Sequence, residues 1–267
     1  MKPIFDLAPG TTPLLISVPH AGTYLPDAIA ARLTPEALAL PDTDWHVEKL
    51  YGFAAELGAG LIVATHSRYA VDLNRDPSGT PLYPGRDNTE LVPLGTFASQ
   101  PVYRKGQEPD KAEEAERVER YWRPYHEALA AQLDAVVARH GIAVLWDGHS
   151  IPAEVPRLFE GRLPDLNLGS AAGMSADPDL ADCARAALDG PGMSLVVDGR
   201  FKGGYITRRY GRPAAKVHAL QLEKAMASYM DEAPPYRWDA ARAAPMLARL
   251  RRTMGAVTAW AAARART

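Results

Sequence analysis

Ile142-Ala143-Val144-Leu145-Trp146-Asp147-Gly148-His149-Ser150 decides the fold class. Its apolar first half is short, unbroken and rich in residues that suit a pleated, doubly buried strand. Gly141 stands just before it and stops a long helical pattern from Pro109 to His140, which Pro124 should kink or split. Working outward, Leu14-Leu15-Ile16-Ser17-Val18 is a second buried strand, stopped by Pro19. Leu61–Ala64, Tyr69–Leu73 and Leu195–Val197 are further strands. Val217–Glu223 alternates, with Leu220 and Leu222 on one face and Ala219, Gln221 and Glu223 on the other. Asp42–Leu57 reads as a helix start and an amphipathic helix, with Asp42, Thr43 and Asp44 near its N-terminus. Asp179–Ala187 and the Ala/Arg-rich Asp239–Arg264 are also helical, while Asn74–Gln107 and Ile151–Pro164 are irregular. Strands alternating with helices predict one α/β domain over residues 1–267 with a largely parallel sheet.

Composition narrows the classes. The chain has 267 residues, 47% of them hydrophobic, enough for a full core without covalent staples. A single cysteine, Cys183, excludes an internal disulfide and a Cys-rich zinc module. Thirty basic against thirty-two acidic residues argue against broad nucleic-acid binding. No apolar run is long enough to span a membrane, and Met1–Gly10 does not read as an export signal, so the cytosol is the expected compartment.

His20 and His149 each sit just past a predicted strand end beside small residues, Ala21 and Gly22 for one and Gly148 and Ser150 for the other. The C-terminal edge of a parallel sheet is where α/β folds gather ligands. If the two strands are neighbours, the imidazoles can share a divalent metal. Catalytic zinc commonly takes three protein ligands, and the third here is Asp44 or Asp42, with Glu48 on the Asp44 helix face. Taken singly, such histidines are more often loop hydrogen-bonders, and such acids are helix caps. Asn74-Arg75 places an amide beside a rigid guanidinium fork suited to a carboxylate. Lys202–Gly211 interleaves glycines with cations and hydroxyls, as an anion-cradling loop or a basic hairpin turn does. Glu223 can accept a proton from water. No Gly-x-Ser-x-Gly elbow occurs.

Six short stretches in order resemble the N-formylglutamate amidohydrolases, including the deformylases of bacterial histidine degradation. They are Ser17–Tyr24, Asp42–Tyr51, Ser67–Arg75, Asp147–Ser150, Gly203–Arg208 and His218–Glu223. The resemblance implies a three-layer α/β/α sandwich around a mixed sheet, like the zinc carboxypeptidases. It implies His20 and His149 as metal ligands and Glu223 as general base. The carboxypeptidase-like Glu three residues after the first His is Thr23 here, so an acid from the next segment serves, with Asp44 preferred to Asp42. Asn74 and Arg75 match the carboxylate-binding pair. Arg208, helped by Tyr205 or Thr207, is the candidate second anchor, with Arg209 its rival, and Arg68 braces the site. The implied cofactor is one divalent ion, zinc foremost, with cobalt and manganese admitted by the same donors. The implied reaction releases formate and glutamate from the dicarboxylate N-formylglutamate. The competing readings are a related metal carboxypeptidase, deacylase or amidase, and a non-catalytic dicarboxylate binder.

Overall fold

The structure, a computed structural model, describes residues 2–85 and 87–265; Met1, Arg86, Arg266 and Thr267 lie outside the described residues. Its strands are β1 (Phe5–Ala8), β2 (Leu14–Val18), β3 (Gly60–Ala64), β4 (Ala143–Ile151), β5 (Leu166–Gly169), β6 (Leu195–Val197) and β7 (Val217–Ala225). They form one sheet in the order β1-β3-β2-β4-β7-β5-β6. Every residue of β4 is buried, and it pairs in parallel with β2 on one side and β7 on the other.

The helices are α1 (Asp27–Ala30), α2 (Pro35–Leu38), α3 (Val47–Leu50), α4 (Lys111–Arg117), α5 (Arg123–His140), α6 (Pro178–Leu188), α7 (Tyr205–Tyr210) and α8 (Ala240–Arg264). Strand alternation sorts the sheet into two cores. Ile16, Val144, Trp146, Leu220 and Leu222 pack toward α3, α6 and α8. Leu15, Ala143, Leu145 and Ala219 pack toward α5 through Tyr125, Leu129 and Leu133. The result is three layers. Asp239 starts α8 by accepting from the backbone N–H groups of Ala241 and Arg242.

The sheet is mixed, which corrects the largely parallel expectation. β3, β2, β4 and β7 form a parallel block, but β1 runs antiparallel on β3 and β5 antiparallel on β7. β1 and β5 have four residues each, too short for their alternation to show in the sequence.

Other differences have local causes. Asp42–Leu57 is not one amphipathic helix. Only α3 and a 3₁₀ turn at Ala54–Leu57 form there, and His46 adopts a left-handed φ of 64° just before α3. The acids at its start reach across the molecule instead of capping: Asp42 accepts from Phe97 N–H at 3.1 Å, and Asp44 from Ser150 N–H at 3.0 Å. Tyr69–Leu73 is not a strand, because Arg117 Nη1 donates to the carbonyls of Tyr69 and Ala70 at 3.2 Å each, in place of a neighbouring ladder. The long helical pattern splits as Pro124 requires: a π turn over Val118–Trp122 joins α4 to α5, and the proline sits in the first turn of α5. Lys202–Gly211 does not form a hairpin, since Tyr205–Tyr210 within it becomes α7. Among the described residues no helix is long and apolar enough to cross a membrane.

Candidate active site

His20 follows β2 by two residues, His149 lies within β4, and β2 pairs directly with β4. The imidazoles therefore converge, with ring centroids 4.9 Å apart. His149 stands inside its strand and not beyond its end, because β4 continues to Ile151. Asp44 comes from the turn ahead of α3. Its Oδ2 lies 3.1 Å from His149 Nδ1 and 3.9 Å from His20 Nδ1. One donor atom from each of His20, Asp44 and His149 falls within 4.8 Å of the other two, and all three residues are buried. Asp42 is turned away to the Phe97 backbone. Glu48 sits on α3, while Asp44 precedes the helix, so the two share no helix face.

The donor set fits a divalent cation, and the reason lies behind the rings. His20 Nε2 is 2.7 Å from Asp72 Oδ1, and His149 Nε2 is 3.1 Å from Asp147 Oδ2. A carboxylate at Nε2 holds the proton there and leaves the Nδ1 lone pair for a cation. Both Nδ1 atoms face Asp44. Arg68 Nη2 lies 2.6 Å from His20 Nδ1 and 3.1 Å from its Nε2. Sequence reasoning missed Asp72 and Asp147 as supports. Asp147 carried a usable signal: it lies two residues before His149 and so shares its face of the strand.

The charges around the centre are strongly perturbed. Burial disfavours a charged His149, yet Asp147 and Asp44 push its pKa up to about 10. The negative field that favours a proton there equally favours a metal ion. Burial and the Arg68 cation lower His20. Burial raises Glu223 to about 7, with Asp44 adding to the rise and His149, Lys224 and Arg68 opposing it. Glu223 stands opposite His149 in the β4–β7 register. A carboxylate with a pKa near neutrality is suited to accept and return a proton at physiological pH.

His20, Asp44, Arg68, His149 and Glu223 line a cavity together with Asn74, Arg75 and Arg200. Arg75 is braced by the Thr89 carbonyl at 3.1 Å, the Thr89 hydroxyl at 2.6 Å and the Asn74 carbonyl at 2.9 Å. Those bonds fix the plane of the fork. Asn74 Nδ2 lies 2.9 Å from His149 Nε2, and its Oδ1 accepts from Ile206 N–H at 2.8 Å. Gly204 leads into α7 where a Cβ would fall 2.3 Å from Asn74 Nδ2, so only glycine lets α7 pack there. Tyr205, Arg208 and Arg209 line an adjoining groove with Arg75 and do not line the cavity itself. Thr207 is buried beneath the site, with its hydroxyl 3.4 Å from Asp147 Oδ2.

Two imidazoles and a carboxylate around one point, with a buried carboxylate of raised pKa on the next strand, are equipment suited to a hydrolase on a three-layer α/β scaffold. The chain belongs to the N-formylglutamate amidohydrolase family, which it matches over residues 12–230. It is 45% identical over 269 residues to the N-formylglutamate deformylase of Pseudomonas putida, covering 99% of each chain. It is 47% identical over 265 residues to the N-formylglutamate deformylase of Pseudomonas aeruginosa, covering 97% of this chain and 98% of that one. The crystal structure of N-formylglutamate amidohydrolase from Ralstonia eutropha JMP134 matches with a TM-score of 0.77 at 26% identity, over 98% of this chain and 97% of that one.

Proposed function

We propose that this chain hydrolyses N-formyl-L-glutamate to formate and L-glutamate at the cavity holding His20, Asp44, His149 and Glu223. The observation that carries the reading is the convergence of those three donors opposite Glu223 in one buried site. When bound by His20, Asp44 and His149, a divalent ion, zinc foremost, would supply a Lewis acid for the water and the formyl oxygen. Asp72 and Asp147 keep the two imidazoles in the ligating tautomer. Glu223 takes a proton from the attacking water and returns it to the amide nitrogen as the C–N bond breaks. Arg68 bridges His20 and Asp72 and braces the floor. Arg75, with Asn74 beside it, grips a substrate carboxylate.

The whole chain acts as one domain, in the cytoplasm, and its reaction closes a histidine degradation route. The test is formate release from N-formyl-L-glutamate by the purified protein, before and after chelation. Activity is expected to vanish with the metal and to return with zinc, cobalt or manganese. Full turnover in protein verified to be metal-free would remove the metal-dependent mechanism.

A further inference from the structure

The substrate carries a carboxylate on the carbon next to the scissile amide and a second one two methylenes further out. Asn74 touches His149, so the Asn74–Arg75 wall adjoins the reacting end of the cavity. The outer carboxylate then needs a cation on another wall of the same cavity. Among the described residues, three arginines line it: Arg68, Arg75 and Arg200. Arg68 is engaged with His20 at 2.6 Å and with Asp72 at 3.2 Å. Arg208 and Arg209 belong to the adjoining groove. We propose that Arg200 is the residue that binds the side-chain carboxylate and sets the preference for an acidic substrate, in place of Arg208.

The surroundings of Arg200 are built to hold a planar fork. Its Nε donates to the Leu158 carbonyl at 2.7 Å. Its guanidinium carbon lies 5.1 Å from the Tyr83 ring centre and 5.2 Å from that of Phe201. Aromatic faces at that range orient a guanidinium. Lys202 N–H donates to the Tyr83 hydroxyl at 3.2 Å, so the aromatic platform is itself tied to the segment that carries Arg200. The turn into that segment is strained and clamped. Asp198 adopts φ 48°, which a residue other than glycine seldom adopts. Its carboxylate accepts from Ser170 N–H at 2.8 Å, Ser170 Oγ–H at 2.5 Å and Ala172 N–H at 3.3 Å. Ser170 directly follows β5, so these bonds fasten the Arg200 turn to the sheet. Strain that the surroundings hold in place is a mark of functional segments.

This inference rests on reading the cavity as the deformylase centre, and its test separates the two. The measurement is the ratio of kcat/KM for N-formyl-L-glutamate to that for its neutral isostere, N-formyl-L-glutamine. Arg200→Gln is expected to lower the ratio about 10²-fold, mainly through KM for the acidic substrate, as loss of one partner of a hydrogen-bonded charge pair implies. Arg200→Lys keeps the charge but loses the fork, and is expected to give an intermediate ratio. It also carries the test if the Gln variant does not fold. Arg208→Gln is expected to leave the ratio at the wild-type value. A wild-type ratio in either folded Arg200 variant, or a collapse in Arg208→Gln alone, overturns the assignment while leaving the deformylase centre standing. A wild-type protein that releases no formate from either substrate removes both.

Discussion

Glu223 is the residue on which the proposed chemistry turns, and its behaviour can be tested alone. Its carboxyl is pushed up to about 7, chiefly by burial. Below that pH it is protonated and cannot accept a proton, so kcat/KM is expected to fall on the acid side through a pKa near 7. Glu223→Gln is expected to retain bound metal and lose turnover by about 10²-fold or more. Unchanged turnover in a folded Gln variant removes Glu223 from the proton-transfer role. Lys224 lies fully buried on the opposite face of β7, with Nζ 3.4 Å from the Tyr51 hydroxyl, and its cation lowers the Glu223 pKa. Lys224→Met is therefore expected to move the acid limb to higher pH; an unmoved or lowered limb contradicts that electrostatic link. At the next remove, Asp147→Asn takes the carboxylate from behind His149, and zinc affinity measured by competition with a chelator is expected to weaken about 10–100-fold. Much of this centre is visible in the sequence, because His20, His149 and Glu223 each adjoin or end a recognisable strand pattern. Asp72 is not visible, since nothing in a run of residues reveals which ring a carboxylate will back. Arg200 is hidden for a related reason: its turn is placed by Asp198 and Ser170, which are 28 residues apart.

At the scale of elements, the sequence reveals those whose burial is periodic and conceals those whose bonds are long-range. β2, β3, β4, β7 and α8 follow local pattern closely. Tyr69–Leu73 has the composition of a strand, but side-chain donors such as Arg117 replace its ladder, and no local rule reports a partner forty-odd residues away. The stretch after Lys202 misleads differently. Its glycines suggest an anion-cradling loop or a basic hairpin turn, yet Gly204 is required by close packing of α7 on Asn74. That packing gives a prediction about the element as a whole. Gly204→Ala puts a methyl group 2.3 Å from Asn74 Nδ2, so either Asn74 or the start of α7 has to shift. Because Asn74 touches His149, a displacement approaching 1 Å at the site is expected to cost about 10²-fold in kcat/KM. If steady-state kinetics on the folded variant match wild type, the α7–Asn74 packing does not position the site.

The molecule as a whole brings together residues that the chain keeps far apart. The prospective ligands stand at positions 20, 44 and 149, with Glu223 further still, and they meet because β2, β4 and β7 lie side by side in a sheet whose outer strands reverse direction. Those reversals leave no mark on hydrophobic pattern, since a strand's burial is the same whichever way it runs, and so the mixed topology was carried by resemblance and not by periodicity. On the proposed reading, the same assembly makes metal binding a property of the folded state. An unfolded chain holds His149 more than a hundred residues from His20 and Asp44 and has little affinity for one ion among them. A ligand that binds only the folded form stabilises it by about 2.7 kcal/mol at a hundred times its dissociation constant. For a domain of this size, that corresponds to a rise in unfolding midpoint of about 5–10 °C. Calorimetry of the metal-free protein with added zinc is expected to show that rise, and His149→Ala, which removes one ligand and leaves Asp44 and His20 in place, is expected to lose most of it. An equal zinc-dependent rise in the His149→Ala protein would place the ion elsewhere and detach the buried triad from the chemistry assigned to it.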